Sequence, residues 1–288
     1  MEEKDQKQQT KNSTTTSAVK PDKGHHPEKP SANRQSSEKS SDTNEVVIEI
    51  KHLKKSFGSK DVLKDINLTV RRGENVVVLG KSGQGKSVTI QCIVGMLMPD
   101  GGTLKVFGEE VCDLNEKELK ELRIKIGFLF QSGALYDSMT VRENLEFPLT
   151  RVLKLKDQAE IDKRVKEVLE GVGLADAADK MPSDLSGGMR KRAGLARTLI
   201  VHPEIMLYDE PTTGLDPITS REISELILSM QKKYKTTSII ITHDMECARI
   251  TSDRVVIMND GEYIEEGTFD GLQKSKNELV KSFFKDIS

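Results

Sequence analysis

Gly80-Lys81-Ser82-Gly83-Gln84-Gly85-Lys86-Ser87 is the stretch that decides how this chain folds. It fills every fixed position of the pattern G-x-x-x-x-G-K-[ST] and stands between a strand-like run, Asn75 to Leu79, and a helix-like run that begins at Val88. The glycines let the backbone wrap closely round a polyphosphate. The loop amides turn inward as a nest, and the following helix offers the positive end of its dipole to the same anion. Lys86 is placed to reach the β- and γ-phosphates and Ser87 to hold Mg2+. An ordinary glycine turn between strand and helix needs neither the lysine nor the hydroxyl.

Working outward, Val76-Val77-Val78-Leu79 is apolar on both faces, the pattern of a central parallel strand covered by helices on each side. Upstream, Val46 to Lys51 and Ile66 to Val70 alternate apolar and polar positions, which predicts an antiparallel layer. Downstream, the helix is expected to run on through Gln91 to Leu97 and to stop at Pro99-Asp100-Gly101-Gly102, with a strand over Thr103 to Phe107. Ile126 to Phe130 reads as another strand, ending at Gln131. Ile161, Val165, Val168, Leu169 and Val172 share one face of a helix predicted over Asp157 to Leu174.

A further helix follows Leu185-Ser186-Gly187-Gly188-Met189. Its apolar stripe is Met189, Ala193, Ala196, Leu199 and Ile200, with Arg190, Lys191, Arg192 and Arg197 on the polar side; a solvated face is the reading for Arg192. Ile205 to Tyr208 is a buried-type strand leading into Asp209-Glu210, and Pro217 to Lys233 reads as a helix. Thr237 to Ile241 is a β-branched strand that ends at Thr242-His243-Asp244. Arg254 to Met258 precedes Asn259-Asp260-Gly261, a hairpin turn. Strands alternating with helices indicate an α/β fold with a mainly parallel sheet, whose ligands bind beyond the carboxyl ends of the strands.

Composition bounds the rest. With 288 residues, 35% hydrophobic and 31% charged, the chain can bury a sizeable core. Residues 1–45 contain only Met1, Ala18, Val19 and Ala32 as apolar side chains and are expected to be a disordered tail, in which His25 and His26 are solvated. The 44 Lys and Arg against 46 Asp and Glu leave no basic surplus for a nucleic acid partner. Cys92, Cys112 and Cys247 lie far apart, which argues against a zinc site or a disulfide framework and fits a reducing compartment. No apolar run reaches eighteen residues, and no signal peptide is recognisable, so a membrane role has to come through a partner.

Asp209, at the end of an apolar strand, is expected beside the phosphate loop, orienting the Mg2+ that Ser87 holds. Glu210 reaches further, to align and polarise an attacking water. Gln131 and His243 each end their own strands and are natural sensors of the γ-phosphate and the water. Two acids at a strand end can also be solvated caps, and either polar sensor alone can be a satisfied core group.

In that order the motifs resemble the ATP-binding cassette (ABC) family of transport ATPases over about residues 46–270. The resemblance makes Gly80 to Ser87, with Val88, the phosphate loop; Gln131 the Q-loop glutamine and a metal contact; and Leu185 to Met189 the signature. Asp209 and Glu210 close the Walker B strand, Thr213-Gly214-Leu215-Asp216 is the D-loop, His243 is the switch histidine and Phe57 stacks on adenine. Met189 and Gly214 depart from the commonest residues, Gln and Ala, without removing a phosphate ligand. The implied architecture is a P-loop NTPase of the ABC ATPase type. It has a RecA-like core (46–131 and 202–270) with an antiparallel β subdomain, an inserted α-helical subdomain (132–201) and a C-terminal helical extension (271–288).

The resemblance also implies a head-to-tail dimer with ATP between one copy's loop and the other's signature. Ser186, Gly187 and Gly188 alone read as a flexible loop or a helix cap; in this context they become a second anion site. Phe128 to Val141, Arg142 to Leu145, Phe147 to Leu149, Leu185 to Arg192 and Asp216 to Thr219 resemble the ATPase subunits of Mla-type phospholipid transporters. That implies a cytoplasmic subunit, peripheral on the inner membrane, with an integral permease and a lipid-binding substrate protein as partners. Leu135, Tyr136, Met139, Leu145, Phe147 and Leu149 either line a groove for a permease helix or pack the helical subdomain, and Phe283 and Phe284 are expected against a neighbouring subunit. The alternatives are a small-solute importer, disfavoured by the Gln131 segment and by a C-terminus too short for a regulatory domain, and a soluble cassette ATPase, disfavoured by the single phosphate loop.

Overall fold

The computed structural model describes residues 44–285. The expected disorder and the two tail histidines fall outside them, except at Asn44 and Glu45. Those two are tied down: Arg71 donates to the Asn44 carboxamide oxygen at 2.7 Å, and Arg72 pairs with Glu45 at 2.6 Å.

In chain order, β1 (Val46–Phe57) and β2 (Lys60–Arg71) form a long antiparallel hairpin, and β3 (Asn75–Leu79) leads into the phosphate loop. Then come α1 (Lys86–Ile93), β4 (Gly101–Val106), β5 (Glu109–Glu110), α2 (Glu116–Lys125) and β6 (Ile126–Leu129). Three helices follow, α3 (Val141–Arg151), α4 (Gln158–Gly171) and α5 (Gly187–Leu199). The chain continues with β7 (Ile205–Asp209), α6 (Pro217–Tyr234), β8 (Thr237–Thr242), α7 (Met245–Thr251), β9 (Arg254–Asn259), β10 (Glu262–Gly267), α8 (Phe269–Gln273) and α9 (Glu278–Phe284).

The strands make one sheet in the order β5-β4-β1-β2-β10-β9-β3-β8-β7-β6. One half is parallel: β3 lies between β9 and β8, with β7 and β6 beyond. The other half is the antiparallel layer expected from alternation, and the halves meet where β10 runs beside β2 through the single pair Glu262 and Asp65. Val76 and Val78 face one apolar cluster, shared with the antiparallel strands and α1. Val77 and Leu79 face a second, shared with α6 and α7. A strand covered on both faces is expected to be apolar on both, and β3 is so from Val76 to Leu79; Asn75, at its entry, is the buried polar exception. A third cluster, built from α3, α4 and α5, contains all five residues of the predicted α4 stripe.

Several expectations are corrected. The helix after the loop ends at Ile93, not Leu97, because Gly95 adopts φ 65° and the chain turns back, the Gly95 amide bonding to Cys92 and those of Met96 and Leu97 to Gln91. Arg192 is not solvated: it donates to the Val172 carbonyl and pairs with Glu222 at 2.8 Å. Lys191, on the supposed polar side, is buried. Leu145 and Leu149 are fully buried in the helical cluster, so they line no groove, whereas Tyr136 is exposed and rests against Phe147 at 5.0 Å between ring centroids. Phe284 is buried within its own chain, edge-on to Phe269, so it needs no neighbouring subunit to cover it, while Phe283 packs on the same cluster and stays half-buried.

Candidate functional site

Strand register assembles the site. Leu79 lies opposite Thr242, Ile241 opposite Asp209, and Tyr208 opposite Leu129. The residues that follow these strand ends, Gly80, His243, Glu210 and Gln131, therefore emerge along one edge of the sheet, where α/β folds bind ligands.

The phosphate loop is shaped for backbone recognition. Gly85 has φ 102°, and a β-carbon there would sit 2.8 Å from the Val62 carbonyl oxygen. A side chain is therefore excluded both by backbone strain and by close approach. α1 differs from its neighbours at its N-terminus. α2 and α3 satisfy their first amides with complete capping boxes and carry acids in the first turn, whereas α1 has neither a side-chain cap nor a first-turn acid. Its leading amides and dipole are left for an anion from outside the chain. Lys81, Ser82 and Gly83 are exposed at the rim, Gln84 touches the Asp260 amide of the β9–β10 turn, and Val88 packs on the first core.

Behind the loop lies a compact charge cluster. Lys86 is only 5% exposed; its Nζ donates to the Gly80 carbonyl at 2.6 Å and to Lys81 at 3.1 Å, and lies 3.3 Å from Glu210 Oε1. The other carboxylate oxygen of Glu210 is 2.8 Å from His243 Nδ1, and the Thr213 hydroxyl donates to it at 3.2 Å. Glu210 adopts φ 50°, an unusual conformation for a non-glycine residue, held by its amide bonding to the Ile241 carbonyl. That twist turns consecutive carboxylates apart: Asp209 accepts from the Ser87 hydroxyl at 2.8 Å while Glu210 faces Lys86 and His243. Burial pushes the Asp209 carboxyl above its ordinary range, with the Ser87 hydrogen bond opposing and the Glu210 charge adding to the rise.

A desolvated carboxylate is a stability cost with a defined pH window. Because the folded value is raised above the unfolded value of 3.8, ionisation of Asp209 disfavours the folded state as pH rises through that interval, and the full cost is present above the folded value. Asp209→Asn, measured without nucleotide or Mg2+, is expected to raise the melting temperature at neutral pH. The gain should fade as pH falls toward 3.8, and a melting temperature unchanged or lowered at pH 7 would refute this account.

The remaining sequence-predicted residues are spread around this centre. Gln131 is exposed, and its carbonyl accepts from Lys191 Nζ. Phe57 is 47% exposed at the end of β1, with Lys55 Nζ 5.6 Å from its ring centroid. Ser186 caps α5 by accepting from the Met189 amide, and Gly187 and Gly188 pack against Leu215 and Thr219. Asp216 is engaged as the cap of α6, accepting from the amides of Ile218 and Thr219. The residue that the sequence reading missed is Lys191: a basic residue amid basic neighbours gives no sign of burial, except that it lies two positions after Met189 of the apolar stripe and two before Ala193.

The donor set fits Mg2+. Among the described residues no group of three or more His, Cys, Asp or Glu side chains forms a metal cage, and the Ser87 hydroxyl with the Asp209 carboxylate is a pair of hard oxygen donors beside a phosphate cradle. Mg2+ is held in this sparse way when substrate phosphates complete its shell.

Residues 63–213 match the family described as ABC transporter. The chain belongs to the ABC transporter family. It is an ATPase coupled to transport, taking ATP with Mg2+. It is 40% identical to the probable ribonucleotide transport ATP-binding protein mkl of Mycobacterium leprae over 83% of this chain and 68% of that one. It is 38% identical to the intermembrane phospholipid transport system ATP-binding protein MlaF of Haemophilus influenzae, over 85% of this chain and 92% of that one. It is 41% identical to the methionine import ATP-binding protein MetN of Rhizobium johnstonii, over 77% of this chain and 61% of that one. This ABC chain thus spans roughly two thirds of the mycobacterial and rhizobial relatives. A solved dimeric ATP-binding cassette in a post-hydrolysis state, bound to ADP and Pi, superposes with a TM-score of 0.70 at 33% identity, covering 77% of this chain and 98% of that one.

Proposed function

We propose that this ABC ATPase drives phospholipid transport between the inner and outer membranes, as a head-to-tail pair on the cytoplasmic face of an integral permease, with a lipid-binding substrate protein as a further partner. The observation that carries the hydrolytic part is the Glu210 carboxylate, 12% exposed and held between Lys86 and His243. Water entering beside the γ-phosphate is oriented by Glu210, which accepts its proton as the bond to the γ-phosphorus forms and the bond from that phosphorus to the β–γ bridging oxygen breaks, releasing ADP and phosphate. His243 fixes the carboxylate's rotamer, and Lys86 and the loop amides neutralise charge on the phosphates. Bound Mg2+ would supply further neutralisation of the β- and γ-oxygens, held by Ser87, Asp209 and Gln131. Phe57 offers a face for adenine. Ser186, Gly187 and Gly188 form the half of the site that a second copy presents, and Asp216, which caps the start of α6, joins them as the D-loop contact to nucleotide.

The permease contact is read differently from the groove expected in sequence. An open cleft of about 600 Å3 separates α2 and β6 from α3 and α5; Phe128, Pro148, Val152 and Val201 give it apolar walls, and Arg123 and Lys154 stand among its basic residues. An amphipathic helix with acidic flanks fits it. The cargo assignment is supported by the segment from Phe128 to Leu149 and by the phospholipid-transport relative. It is tested by purifying the tagged chain from membranes in mild detergent and extracting lipid. An integral permease carrying phospholipid is expected. A permease that instead retains methionine, a ribonucleotide or another small solute would replace the lipid reading with that of a solute transporter.

A further inference from the structure

α5 is fastened to the turn after Gln131 at three successive levels. Near the start of the helix, Lys191 Nζ donates to the Gln131 carbonyl at 2.5 Å. One turn on, Gly194 lies so close to Gly133 that a β-carbon would sit 2.7 Å from the Gly133 carbonyl oxygen. Further along, Arg197 donates to the Ala134 carbonyl at 2.7 Å and stacks over Tyr136. The helix and the turn are therefore one packed body, and displacement of one end of α5 moves the other partner with it.

Lys191 does more than the other two contacts. Its side chain is 7% exposed, and its ammonium also reaches the Glu210 carbonyl at 3.4 Å, facing the charges of Asp209 and Glu210. An ammonium has three donors and no acceptor, which suits a site whose partners are two backbone carbonyls on different strand ends. A lysine so desolvated stays in place only while those acceptors hold it. The Glu210 backbone that it touches is the one in the unusual positive-φ conformation that sets the carboxylate between Lys86 and His243.

We propose that Lys191 is a positioning residue that couples the N-terminus of α5 to the carboxylate orienting the water: when Ser186 engages nucleotide, Lys191 carries the resulting displacement to the Gln131 turn and to Glu210. This rests on the reading that Ser186 meets the nucleotide of a second copy. Lys191 touches no reacting atom, so its loss misplaces Glu210 without removing a phosphate ligand.

The test uses the full-length chain purified with its native membrane partners. Lys191→Met, similar in length but without donors, is expected to lower ATP turnover by about 10- to 100-fold, the effect of misplacing a catalytic group by roughly 1 Å, with KM for ATP changed by less than about threefold. Lys191→Arg, which keeps donors, should recover most of that loss. In a double-mutant cycle with Ser186→Ala, the two losses should not multiply, because both interrupt the same signal. Multiplying losses, unchanged turnover in Lys191→Met, or a loss matched by Lys191→Arg would overturn the proposal. If Ser186→Ala itself leaves turnover unchanged, the shared-nucleotide reading fails first. Should Lys191→Met not fold, Lys191→Gln, too short to span both carbonyls, takes its place in the same cycle.

Discussion

Glu210→Gln will stop turnover while leaving ATP in place. The substitution keeps the size of the side chain and a contact to His243 but removes the group proposed to accept the water's proton. Loss of a general base lowers the chemical rate by about 10²- to 10⁴-fold. Binding moves the other way. Oε1 of Glu210 lies 3.3 Å from Lys86 Nζ, so a γ-phosphate approaching Lys86 meets a like charge already there. Neutralising the carboxylate removes that repulsion and frees Lys86 for the phosphate. Single-turnover hydrolysis and equilibrium ATP binding separate the two effects. The expected pattern is a rate reduced by at least about 10² with affinity equal to or greater than that of the parent. A variant that hydrolyses normally would remove Glu210 from its assigned role, and one that merely binds ATP less tightly would show that the carboxylate is structural.

Lys86→Met will act on binding. Charge-assisted hydrogen bonds are each worth about 1.5 to 3 kcal/mol, so losing one contact to the phosphates weakens ATP by roughly 10- to 150-fold. A second consequence follows from burial. Lys86 neutralises the nearly buried Glu210, and without it that carboxylate keeps only its hydrogen-bond contacts to His243 and Thr213. Removing one member of a buried pair is costly, so the melting temperature of the nucleotide-free variant should fall as well. Combining Lys86→Met with Glu210→Gln should restore the melting temperature but not ATP binding. Recovery of both, or of neither, would contradict this division of roles.

The legibility of the site in the sequence follows the kind of physics each part depends on. Gly80 to Ser87 was readable because a backbone nest demands particular residues at fixed spacing, and β3 because a doubly covered strand is apolar on both faces, as Val76 to Leu79 are. Asp209 and Glu210 were readable as a pair at a strand end, but their division into a Ser87 contact and a Lys86–His243 contact depends on the positive φ of Glu210, which no residue pattern announces. Lys191 was hidden for a related reason. Periodicity marks the apolar face of α5, but whether a lysine on its margin points to water or to two carbonyls is decided by the Gln131 turn, sixty residues away in the chain. The mistaken extension of α1 has a local cause instead: Met96 and Leu97 continue an apolar run, and Gly95 ends the helix beneath it. Leu145 and Leu149 were ambiguous because a groove and a core use the same residue types, and only packing tells them apart.

The placement of β3 also sets an order of assembly. Val77 pairs with Ile240 on one side and Val255 on the other, so both neighbours of the phosphate-loop strand lie far downstream in the chain. The β1–β2 hairpin, by contrast, closes on itself within a few residues of Gly58. Contacts of long sequence separation form late, and synthesis proceeds from the N-terminus. On a ribosome, therefore, the antiparallel platform that carries Phe57 can form early, while the phosphate cradle waits for β8 and β9 to emerge. Binding of ATP to nascent chains should begin only once residues beyond β9 have left the exit tunnel.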